Sequence, residues 1–192
     1  MRGDKQERIL RVLLDSKPVL SKNEISKKTG CTRQWIILFL KELGKKGLVE
    51  ATKVKQPRKL FEYWLRIHKK PKKYREYMVK SPLDLLKAAK MDYAATTYIA
   101  ENIIQHHLFP SRIDIYIKQQ DLELWPNLMT KNGLYGKGNV RIIISDEHVM
   151  YNKRKLGNIF VVCLPQLIID LFTEGGPCSE AAGMLLKGNK DV

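Results

Sequence analysis

The sequence predicts an α+β protein in two parts, a basic and mainly helical module followed by a small, neutral, α/β-like domain. Three observations predict it. Residues 1–80 hold 23 Lys and Arg against 8 Asp and Glu, whereas residues 81–192 hold 12 of each, so the net charge of +15 lies entirely in the first part. Apolar residues recur at helical spacing through the first fifty positions. Beyond Arg112, alternating and β-branched runs mark strands set among helices. A chain of 192 residues is long enough for one domain or two small ones, each with its own core.

The elements follow in order. From Asp4 to Ser16, Ile9, Leu10, Val12, Leu13 and Leu14 form an apolar helical face that leaves Arg8 and Arg11 outside it, and Pro18 ends the helix. Ser21 with Glu24 three residues on makes a capping box for a second helix, Lys22 to Lys28, closed at Thr29-Gly30. A third helix begins around Thr32 and runs through Trp35, Ile36, Phe39, Leu40 and Leu43 to Lys46-Gly47. Two β-prone runs, Leu48 to Val54 and Leu60 to Ile67, flank a basic tip, Lys55-Gln56-Pro57-Arg58-Lys59, and read as a hairpin.

Three helices and a hairpin over residues 1–67 make a winged helix-turn-helix. The stretch from Ile25 through Thr29-Gly30-Cys31-Thr32-Arg33-Gln34 to Leu43 and Gly47-Leu48-Val49 resembles the pattern of prokaryotic winged-helix regulators. In that pattern Ile25, Cys31, Ile36, Leu40, Leu43 and Leu48 are core and Gly30 is the turn glycine. The resemblance implies that the third helix enters the major groove of duplex DNA, where Thr32, Arg33 and Gln34 face base edges; Arg suits guanine and Gln adenine. Lys27, Lys28 and Lys41 flank the second and third helices, and Lys55, Arg58 and Lys59 sit at the wing tip, where such proteins touch phosphates or the minor groove. Trp35, Ile37 and Leu38, with Phe39 close by, crowd the outward turn. They meet thymine methyls, or they pack on the wing, the second domain or a partner subunit; Tyr63 and Trp64 nearby favour packing.

Residues 68–80, with Pro71 and a run of lysines, read as a basic linker that runs into a helix over Arg75–Lys80. In 81–192, Ser81-Pro82 starts a helix through Lys90, and Asp92 caps another from Tyr93 to His107. Arg112 to Lys118 alternates strictly, as a half-buried strand does. A polar segment with Asp121, Glu123 and Trp125-Pro126 leads to a glycine-rich hairpin loop, Asn132–Asn139. Val140–Ile144 and Asn158–Cys163 are further strands. Leu164-Pro165 starts a helix through Phe172, and Ser179 caps a last one to Leu186. The run from Pro165 to Pro177, with Ala181-Ala182-Gly183-Met184-Leu185-Leu186, resembles the end of AbiEi-type antitoxin and regulator domains. That resemblance implies an N-terminal module on operator DNA and a C-terminal domain that counteracts a nucleotidyltransferase toxin.

Little else carries chemistry. Ile113-Asp114-Ile115-Tyr116 invites comparison with nucleotidyltransferases, but their second strand carboxylate is here Tyr116 and their upstream glycine is missing. Gly133, Gly136 and Gly138 lack the Lys-Ser/Thr ending of a phosphate loop. His106 and His107 point about 100° apart on a helix, and His148 with Asp146 and Glu147 meets a metal only if a loop gathers them. Cys31, Cys163 and Cys178 are scattered and odd in number, which excludes a disulfide framework or zinc ribbon and points to a reducing, cytoplasmic setting. The N-terminus has no secretory pattern, and the apolar run Trp35–Leu40 is far short of the roughly 20 residues of a membrane span.

The expectation is a regulator without catalytic residues, metal or cofactor. It binds duplex DNA as a homodimer, with a toxin as the C-terminal domain's protein partner. The alternative is a nucleic-acid enzyme whose C-terminal carboxylates, Asp114, Asp146 and Glu147, serve a nuclease or nucleotidyltransferase reaction.

Overall fold

The computed structural model describes residues 2–188 as a mixed α+β chain. Two compact units emerge, Met1–Lys69 with Leu186–Val192, and Lys70–Leu185.

In the first unit, helices α1 (Arg2–Asp15), α2 (Lys22–Thr29) and α3 (Arg33–Lys45) are followed by strands β1 (Val49–Glu50) and β2 (Lys53–Val54) and helix α4 (Pro57–Ile67). The capping box forms as the sequence predicts: the Glu24 amide donates to the Ser21 hydroxyl, and the Ser21 amide to the Glu24 carboxylate at 2.7 Å. Gly30 closes α2 with φ of 65°, a left-handed position suited to glycine. Thr32 caps α3, its hydroxyl accepting the Trp35 amide. All six expected core residues, Ile25, Cys31, Ile36, Leu40, Leu43 and Leu48, are buried.

Two readings change here. Leu60–Ile67 is not a second hairpin strand but helix α4, because Leu60, Phe61 and Trp64 are buried at helical spacing while Glu62 faces out. Pro57, read as a break, stands at the helix's first turn, where its missing N–H costs nothing. The hairpin therefore contracts to β1 and β2, antiparallel with Val49 opposite Val54. Arg11 is also not outside: it is buried, with its guanidinium 5.4 Å from the Trp64 ring centroid. Arg8 lies partly buried and donates to the Thr29 carbonyl.

The second unit opens with β3 (Lys73–Val79), so the expected helix over Arg75–Lys80 is instead a strand, and residues 68–72 of the expected linker stay outside the helices and strands. Tyr77 and Val79 alternate inward, and pairing with an isoleucine-rich neighbour outweighs the like charges. Next come α5 (Pro82–Ala88), β4 (Tyr93–Thr96), α6 (Thr97–Gln105), β5 (Ile113–Ile117), α7 (Leu124–Lys131), β6 (Gly133–Tyr135), β7 (Val140–Ile144), β8 (Arg154–Leu156), β9 (Ile159–Val161), α8 (Leu164–Glu174) and α9 (Pro177–Gly188). Asp92 therefore caps no helix. The residues after it form β4, and its carboxylate accepts from Lys118 and Lys153. Ser179 lies inside α9 rather than at its start.

The strands form one seven-stranded sheet in the order β6-β3-β7-β5-β4-β9-β8, with β7–β5 and β4–β9 parallel and the other pairs antiparallel. Register puts Tyr93, Ile115, Ile142 and Tyr77 on one face, where Trp125 of α7 meets Tyr93 edge-on. The other face carries Thr96, Asp114, Tyr116 and Arg141 beneath α6 and α8. The strand Ile113–Ile117 is thus covered on both sides, and the alternation of its sequence separates an apolar layer from a buried polar one rather than core from solvent. Gly133 and Gly138 run against β3 so closely that a Cβ would collide with the Met78 or Tyr77 carbonyl.

Candidate nucleic-acid interface

The first unit carries 18 Lys and Arg against 7 Asp and Glu over residues 1–69. At 100° per residue, the exposed positions of α3 form one continuous arc of about 140°: Arg33, Gln34, Ile37, Leu38, Lys41, Gly44 and Lys45. Ile36, Phe39, Leu40 and Leu43 fill the opposite side. The one acidic residue of α3, Glu42, lies beside the arc and accepts the Tyr63 hydroxyl at 3.0 Å. The arc thus presents two hydrogen-bonding heads at the helix's first turn, where the dipole is positive, an apolar pair one turn on, and cations beyond. From Arg33 to Lys41 it spans about 12 Å, the width of a B-DNA major groove.

All nine residues singled out in the sequence are exposed. Arg33, Gln34 and Lys41 share the arc, whereas the Thr32 hydroxyl is committed to the helix cap. Lys27 and Lys28 occupy the last turn of α2. Lys55, Arg58 and Lys59 do not sit on a hairpin tip: Lys55 follows β2, and the other two open α4. Two of them face acids of their own chain, Lys55 at 2.9 Å from Glu50 and Arg58 at 3.8 Å from Glu62. The hydrogen bond and charge of Lys55 hold the Glu50 carboxyl below its ordinary range. Lys45 is a cation of the arc that sequence reasoning missed, although its position four residues after Lys41 signals a shared face. Phe39 turns inward, 6.3 Å from the Tyr63 ring, and Trp35 is half-buried with Lys5 5.8 Å from its ring. Only Ile37 and Leu38 of the four crowded residues remain open to solvent, so the expected packing accounts for half of that cluster.

In the second unit Asp114 is fully buried. Arg112 and Arg141 each clamp it with two N–H groups at 2.7–3.0 Å, and the Thr97 hydroxyl donates to the same carboxylate. Both guanidiniums also reach Glu174, at 2.7 and 2.9 Å. Burial opposes Glu174's ionisation, yet the two arginines outweigh it and hold the carboxyl at about 2. Tyr98 lies 5.5 Å from Arg112, and Tyr74 lies 5.8 Å from Arg141. Alongside, Asp170 of α8 accepts from Thr96, Tyr116 and Gln166. A carboxylate whose oxygens already take two bidentate arginines and a hydroxyl is committed to ion pairing rather than to a metal. Asp146 caps the turn Glu147–Met150 by accepting the His148 amide. Among the described residues no three His, Cys, Asp or Glu side chains gather to hold a metal, and no helix is long and apolar enough to cross a membrane. The three cysteines are buried thiols. Compared with known proteins, the chain matches no family model, no curated protein and no solved structure.

Proposed function

We propose that the chain is a DNA-binding transcription regulator whose first unit acts as a winged-helix-type module, with α3 in the major groove. The observation that carries this reading is the exposed arc of α3, with Arg33 and Gln34 at its first turn, Lys41 and Lys45 beyond and no carboxylate on it. Arg33 is placed to meet guanine and Gln34 adenine, while Lys27, Lys28, Lys41, Arg58 and Lys59 contact phosphates. Thr32 positions the helix through its cap rather than reading a base.

The second unit is the interaction half of this regulator. Its sheet leaves the short edge strand β6 with Leu134 and Tyr135 exposed, and Met78 and Tyr74 lie open on the adjoining β3. An edge strand without a charged side chain favours a protein partner. In the AbiEi-like reading that partner is a toxin, and a second copy of the chain matches a two-fold operator.

Titration of duplex DNA with the full chain and with Lys41→Ala and Arg33→Ala variants tests the proposal. Lys41→Ala should weaken binding by a similar factor for all sequences, and Arg33→Ala should flatten the preference among sequences. Affinity and preference unchanged in both variants would contradict a role for α3.

A further inference from the structure

Ile37 and Leu38 stand out on the surface of the first unit. They are 41% and 56% exposed, on a helix whose opposite side already fills the core with Ile36, Phe39, Leu40 and Leu43. Neither contributes to that core, and two adjacent aliphatic side chains in water carry a free-energy cost that a solvated helix face avoids with Lys, Gln or Glu. Their surroundings narrow the occupant. Arg33 and Gln34 precede them by about one helical turn, Lys41 follows Ile37 by another, and Lys45 lies beyond. An apolar pair set between Arg33, the Gln34 amide and Lys41, with the one neighbouring carboxylate, Glu42, beside the arc and accepting the Tyr63 hydroxyl, complements a surface that is anionic at its rim and carries isolated methyl groups in its floor. The B-DNA major groove is such a surface: phosphates line its edges, and the C5 methyl of each thymine projects from its base pairs.

Resting on the DNA-binding reading above, we infer that Ile37 and Leu38 are specificity-determining residues that read thymine C5 methyl groups. The preferred duplex then has thymines within one or two base pairs of the purines met by Arg33 and Gln34. Hydrogen bonds from Arg33 and Gln34 fix register through groups that uracil would leave unchanged, so the methyl is the sole chemical feature the apolar pair adds. The same geometry separates duplex DNA from double-stranded RNA, whose deep, narrow major groove does not admit a helix and whose uracils carry no methyl.

The test uses the full chain against a duplex of mixed sequence holding both G·C and A·T pairs (the dA–dT probe) and against its counterpart with every thymine replaced by uracil (the dA–dU probe), at one fixed, low salt concentration. The two probes share every hydrogen-bonding group and every phosphate. Burying one methyl is worth about four-fold in affinity, so replacing thymine by uracil should weaken binding roughly four- to ten-fold. The double variant Ile37→Ala, Leu38→Ala alters only exposed positions and should bring the ratio of the two affinities close to one, with dA–dU binding nearly unchanged. Equal wild-type affinity for both probes overturns the inference and makes the pair a protein-contact surface. A ratio that survives in the double variant overturns it as well, by assigning methyl sensitivity elsewhere. Binding to neither probe removes the DNA-binding reading itself and the inference with it.

Discussion

Asp114 illustrates how far one residue's role depends on what surrounds it. In sequence it is a carboxylate alternating with isoleucines on a strand; in the fold it is the buried centre of a cluster of two arginines and two carboxylates that Glu174 of α8 completes. Thr97, whose hydroxyl donates to Asp114, holds φ of 49°, a left-handed conformation costly for a β-branched residue. Removing one member of a buried ionic cluster leaves its partners' charges uncompensated. Asp114→Ala should therefore destabilise the chain by about 3–5 kcal/mol in chemical denaturation, and a loss below about 1 kcal/mol would contradict a fully engaged cluster. Glu174 supplies a pH signature. Its carboxyl is held at about 2 in the fold against 4.5 ordinarily. The folded value is the depressed one, so the stabilisation is fully present above pH 4.5 and is lost as pH falls toward 2. Glu174→Gln should flatten the fall in stability between pH 4.5 and 2, as measured by denaturant midpoints across that range; an unchanged slope would place the acid sensitivity in other carboxylates.

At the scale of elements, what was legible depended on whether the signal was local. Ser21 with Glu24, Gly30 and Thr32 mark helix ends through hydrogen bonds within a few residues, and each stands where the sequence places it. Ile113–Ile117 and Val140–Ile144 are β-branched enough to be strands without help from context. Elements decided by distant partners were misread. Tyr93-Ala94-Ala95-Thr96 continues the helical pattern of the residues after it, and only pairing with β5 and β9 makes it a strand. Lys73–Val79 looks like linker until Tyr77 and Val79 find the sheet. Leu60–Ile67 differs: its aromatic content suits a strand, but Pro57 at the first turn and the spacing of Leu60, Phe61 and Trp64 favour a helix on local grounds. The candidate interface followed the same division. Charge and the α3 face were readable, but which of Trp35, Ile37, Leu38 and Phe39 face outward needed the core's geometry. The β1–β2 turn offers an element-scale test, since Ala51 holds φ of 52°. Ala51→Gly should raise stability by about 0.5–1 kcal/mol through relief of left-handed strain, read from the denaturant midpoint; a loss of stability would show that the turn is not strained.

For the whole molecule, charge and architecture divide nearly together. The first unit carries the surplus of cations, with Arg33, Lys41 and Lys45 on the exposed face of α3, while the second unit builds a seven-stranded sheet whose two edges differ. Edge strand β8 carries Arg154 and Lys155, a charged border that resists pairing with another sheet, and edge strand β6 carries none. On the proposed reading, the first unit meets a polyanion and the second a protein. Binding of duplex DNA through the first unit is the central claim, and salt dependence tests it most directly. The full chain should bind duplex DNA with an affinity that falls steeply as KCl rises. The slope of log K against log salt should be about −4 to −5, as four to six phosphate contacts require. A slope near zero, or no binding at low salt, would contradict the account and turn the basic face of α3 toward a protein.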